Sequence, residues 1–193
     1  MDPHVQLLQG AKIARLEEHF MNATTVYDGF IRFEERSASL YLELSVRFFG
    51  NAELSWFWVE MAMEEKQHAG MLQHCREADV FAAELPDKDQ IHRLSLLFRQ
   101  LEARLAEPQL TLDDAFEMAA ELESSEINDI YSRLTAPIQG PAHVMRKKME
   151  VSVAGHFERL REAATKFQAS PTIQMRLAGL LSHSGSKPGS GTD

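Results

Sequence analysis

The sequence predicts an all-α fold, a four-helix bundle with a long helical crossover between its second and third core helices. Apolar residues recur at steps of three and four across segments far longer than any ordinary strand. The breaks between those segments are short and hold residues that stop helices, among them Gly50-Asn51, Pro86, Pro108 and Gly140-Pro141. One long segment, from about Lys88 to Ala106, carries neither Glu nor His in its apolar stripe, which marks it as the crossover.

The elements follow in order. Residues 1 to about 22 read as a short, peripheral amphipathic helix (Leu7, Leu8, Ile13, Leu16, Phe20), after which Thr24 and Thr25 are candidate N-caps. The first core helix should span Val26 to Phe49, with Glu34 in its apolar phase, Tyr41 two turns beyond, and Glu35 turned about 100° away. A short break makes the next helix, about Ala52 to Val80, antiparallel to the first. Its stripe is Leu54, Phe57/Trp58, Met61, Leu72 and Cys75, and Glu65 and His68 fall in the gap within it. Beyond the crossover, Thr111 opens a third core helix to about Leu134, whose apolar phase includes Glu123 and Glu126, while Glu121 fits a solvated face. The fourth, about Ala142 to Gln168, has His156 as the single ionisable group in its stripe. A short helix from Ser170-Pro171 to about Leu181 closes a domain of residues 1–181, and the Ser/Gly-rich tail 182–193 should be disordered.

Composition narrows the function. The 193 residues fit one domain, and 44% hydrophobic residues suffice for a sizeable core. A net charge of -9 and the lack of a basic stripe interleaved with aromatics argue against nucleic acid. A lone cysteine, Cys75, excludes an intramolecular disulfide and a Cys-rich metal site, and suits a reducing cytoplasm. Met1 to Arg15 lacks a signal-peptide core, and no run approaches the ~20 apolar residues of a membrane span. The expectation is a soluble, cytoplasmic protein.

The chemistry lies in the polar groups at core positions. Glu65 and His68, three residues apart, share a helix face. An unpaired buried carboxylate costs several kcal/mol, so the pair requires each other, a buried water or a metal ion. An internal repeat favours the metal. Glu34 precedes Tyr41, with Glu65-x-x-His68 on the following helix; Glu123 precedes Tyr131, with His156 on the following helix. Val153 stands where the second Glu-x-x-His would have its glutamate, and Glu150, one turn away, is about 60° off that face. Four helices offering carboxylate or imidazole inward is the layout of a carboxylate-bridged dimetal bundle.

At these residues the chain resembles the ferritin-like superfamily, and within it the rubrerythrin di-iron domain. Glu34-Glu35-Arg36-Ser37-Ala38-Ser39-Leu40-Tyr41 is similar to that family's first-helix motif, and Met63-Glu64-Glu65-Lys66-Gln67-His68-Ala69 to its second. Glu123-x-x-Glu126-x-x-x-x-Tyr131 resembles the third helix, and His156-Phe157-Glu158-Arg159-Leu160 the end of the fourth; together the likeness covers residues 26 to 168. The resemblance implies metal ligands Glu34, Glu65, His68, Glu123, Glu126 and His156, with Glu65 bridging, Glu126 mobile, and Tyr41 and Tyr131 bonding ligand carboxylates. It implies iron, or manganese, with two ions if the site is complete; Val153 in place of a bridging glutamate leaves one ion or none open. The implied activity is an oxidoreductase that reduces peroxide or oxidises ferrous iron with peroxide or oxygen. The family's Cys-x-x-Cys iron domain is missing, so electrons would come from an external donor, and a homodimer is usual for the family. The competing expectation is a metal-free or single-metal bundle that acts as an interaction or assembly module.

Overall fold

The computed structural model describes the backbone of residues 3–184 and the side chains of residues 23–149, 151 and 155–180. Among the described residues the chain is all-helical: α1 (Pro3–Arg47), α2 (Ala52–Glu77), α3 (Lys88–Leu105), α4 (Leu112–Glu123), α5 (Ile127–Thr135), α6 (Pro141–Lys166) and α7 (Pro171–Ser184). Three helix starts follow from their first residues. Asn51 accepts a bond from the Leu54 amide, and Asp87 with Gln90 and Thr111 with Asp114 form capping boxes.

Three expectations are corrected. Thr24 and Thr25 are interior residues of one continuous α1 rather than N-caps. Threonine costs a few tenths of a kcal/mol relative to alanine inside a helix, too little to end one where no Gly or Pro intervenes. The expected third helix is two, because Ser124–Glu126 interrupts it between α4 and α5; serine hydroxyls compete for backbone groups and weaken a helix interior. The tail expected from Ser182 begins inside α7, which runs to Ser184, and residues 185–193 lie outside the described ones. The side chains of the peripheral stripe Leu7 to Phe20 lie outside them as well.

The helices close on one core. The antiparallel hairpin of α1 and α2 is tied at one end by Arg76 on Asp28 (2.6 Å) and at the other by Ser55 Oγ donating to the Ser45 carbonyl (2.9 Å). Helix α3 lies along α1, where Phe98 stacks on Phe33 at 5.2 Å and Arg36 covers Phe98 while gripping Glu102 with two bonds. Buried Tyr27 donates to the Leu134 carbonyl (2.6 Å) and accepts from the Ala82 amide (3.0 Å), which joins α1, α5 and the strap after α2. α4 packs on α6, and α2 meets both α5 and α6. Tyr41, Trp58 and Phe116 form an aromatic layer over one end of the polar cluster described below, with Tyr41 and Trp58 stacked at 5.9 Å. Each such ring contributes about 1.5–3 kcal/mol through burial, and that apolar surround keeps water from the cluster. No helix of the described residues is long and apolar enough to cross a membrane.

Candidate metal centre

Five of the expected ligands converge in the core. Glu34 comes from the middle of α1, Glu65 and His68 from α2, Glu123 from the last residue of α4, and His156 from α6. All five are 4% exposed or less. They form two groups, Glu34–Glu65–His68 and Glu65–Glu123–His156, in each of which one ligand atom per residue lies within 4.8 Å of the others. Glu65 belongs to both. Its Oε2 faces His68 Nδ1 at 3.1 Å, and its Oε1 faces His156 Nδ1 at 3.9 Å. The two imidazole centroids are 5.7 Å apart, so one carboxylate sits between two rings and offers an oxygen to each.

The electrostatics differ between the halves. In the first, burial and the neighbouring charge of Glu65 push the Glu34 carboxyl well above the usual range, so Glu34 stays protonated and donates to Glu65. In the second, burial alone would raise Glu123, but the charge of His156 and bonds from His156, Tyr41 and Asn128 outweigh it and hold the carboxyl down at about 2. Burial likewise opposes a charged His156, yet its two carboxylate partners prevail and lift it to about 10. As an imidazolium it donates from Nδ1 to Glu123 Oε2 (2.8 Å) and from Nε2 to Glu64 Oε2 (2.8 Å).

No protein-family model, no curated protein and no solved structure matches this chain.

Tyr41 donates to Glu123 Oε1 at 2.6 Å, and burial with the adjacent Glu123 charge raises its own ionisation well above the ordinary range, so it remains a donor. Asn128, the second residue of α5, donates to both the carbonyl (3.2 Å) and Oε2 (3.0 Å) of Glu123 and clamps it across the break. The Tyr131 hydroxyl donates to Met149 Sδ at 3.5 Å, and its ring lies against His68 with centroids 4.6 Å apart. Two residues escaped the sequence reading. Glu64 bonds His156 Nε2, and Arg159 grips Glu64 with two bonds. The available signal was Arg159, three residues after His156 and so on its helix face.

Glu126 does not join the cluster. The break at Ser124–Glu126 takes it out of the phase of Glu123, and its carboxylate receives two bonds from Arg93 (2.8 and 3.0 Å) and one from Gln90 (3.0 Å). These bonds hold its carboxyl below the usual range, Arg93 contributing most. Glu126→Ala should therefore leave metal stoichiometry unchanged by elemental analysis and cost about 1 kcal/mol or less in denaturant unfolding. The side chains of Val153 and Glu150 lie outside the described residues.

The donor set could hold a metal ion: three buried carboxylates and two imidazoles are ligands that suit first-row divalent ions.

Proposed function

We propose that α1, α2, α4/α5 and α6 form a ferritin-like four-helix bundle that binds two first-row metal ions, iron or manganese, for redox chemistry with peroxide or oxygen. The observation that carries it is Glu65, whose two oxygens each face a different histidine. In this reading Glu34 and His68 would hold one ion, Glu123 and His156 the other, and Glu65 would be shared by both. A pair of such ions, if bound, would supply the two electrons of the reduction, with an external donor as their source.

The chain's own residues set the geometry and the medium. Glu64 holds the His156 ring by Nε2 and directs Nδ1 at Glu123 and Glu65; such partners commonly fix a ligating imidazole's tautomer. Arg159 fixes Glu64 in turn. Tyr41 and Asn128 orient Glu123 from opposite sides of the helix break. Glu34 holds a proton that is released when a cation takes its place.

Iron-loaded, reduced protein should be oxidised by added peroxide, with absorbance rising in the near ultraviolet. Protein that binds iron at this site yet leaves peroxide untouched would favour an interaction or assembly role for the bundle.

A further inference from the structure

A groove of about 400 Å³ opens between α2 and the start of α6. Gly70, Met71, Ala142, Met145 and Met149 form most of its wall, and Gln67 and His74 supply polar side chains. Met145 is 51% exposed, whereas Met71 and Met149 are 7% and 6% exposed, so the groove runs inward from the surface to two buried thioethers. Behind Met149 stands Tyr131, which donates to its sulfur and lies against His68. The floor is thus one tyrosine ring away from a candidate ligand of the centre.

The thioethers of the wall point to an apolar occupant. Thioether side chains are unbranched and polarisable and mould to apolar bodies of varied shape. A Cβ built on Gly70 meets nothing within 4 Å, so no neighbour requires glycine there. The open space beside Gly70 belongs to the groove that it lines, so a larger side chain there would enter the groove. A charged ligand would lose hydration against such a wall with little to replace it.

We propose that this groove holds the hydrocarbon body of a small uncharged substrate, and that alkyl or aryl hydroperoxides are the substrate class of the centre. The second clause rests on the redox reading above; the first stands without it. Reduction breaks the O–O bond, consumes two electrons from the reduced metal pair and two protons, and releases an alcohol and water. Hydrogen peroxide has no hydrocarbon body to place in the groove.

The test starts with metal-free protein carrying carbon-13 methyl-labelled methionine, titrated with 2-phenyl-2-propanol, the alcohol formed from cumene hydroperoxide. Saturable shifts are expected at the methyls of Met71, Met145 and Met149. They should vanish in Gly70→Leu, whose side chain fills the open space while the helical circular-dichroism signal is retained. Absence of saturable shifts, or their persistence in the variant, overturns the groove. In iron-loaded protein, Gly70→Leu should lower the ratio of kcat/KM for cumene hydroperoxide to that for hydrogen peroxide by about tenfold or more. An unchanged ratio overturns the substrate class. Failure to load metal at all would sink the redox reading and leave the binding result intact.

Discussion

Glu65→Ala should empty both candidate metal positions at once, whereas His68→Ala should spare the candidate position of Glu65, Glu123 and His156. The expectation follows from a single carboxylate serving two clusters, with Oε2 toward His68 and Oε1 toward His156. Protein loaded with manganese(II), freed of excess by gel filtration and measured by elemental analysis, should hold two ions in the wild type and none in Glu65→Ala. The variant keeps its helical fold, because the change removes a buried carboxylate and leaves the apolar stripes of α1 and α2 in place. One ion retained in Glu65→Ala would show that the two clusters do not share a bridge.

A second large effect is expected in the metal-free protein. Glu123→Leu leaves the His156 imidazolium buried with one of its two carboxylate partners gone. Breaking a buried pair on one side costs about 3–5 kcal/mol, and denaturant unfolding near neutral pH should register a loss of that size. The double change Glu123→Leu/His156→Leu should recover much of it, since neither charge is then stranded. The pH profile carries the same signature. Glu123 falls to about 2 on folding, so its contribution is present above the ordinary carboxylate pKa and is lost as pH drops toward 2. His156 rises to about 10, so its contribution is present below 6.5 and is lost as pH climbs toward 10. Metal-free wild type should therefore weaken at both extremes, and the double variant should show a flatter profile. A single loss equal in both variants would mean that Glu123 and His156 are not coupled.

The convergence of Glu34, Glu65, His68, Glu123 and His156 was legible because each interrupts an apolar stripe at the helical period, and a polar group in that phase is driven inward with its neighbours. Tyr41 was legible for the same reason. Glu126 misled because helical phase holds only while the helix continues, and Ser124-Ser125 carries neither Gly nor Pro to announce the break. Glu64 was not legible from periodicity. It lies about 100° from Glu65 around α2, and its partners His156 and Arg159 are 92 and 95 residues away. The hairpin of α1 and α2 followed from Gly50-Asn51, whereas the continuity of α1 through Thr24 and Thr25 did not, because two threonines look like caps whether or not a helix already surrounds them.

The buried cluster is arranged to exist without a cation. The imidazolium of His156 answers the charge of Glu123, and Glu34 keeps its proton beside Glu65. Binding of cations there would be an exchange, in which a proton leaves Glu34 and another leaves His156. Weakly buffered solutions would acidify as the protein loads, and the protein's grip on its ions would tighten with rising pH. Acid would return the protons and compete with any cation for these ligands. Acidity would thus govern how readily the cluster takes up a cation.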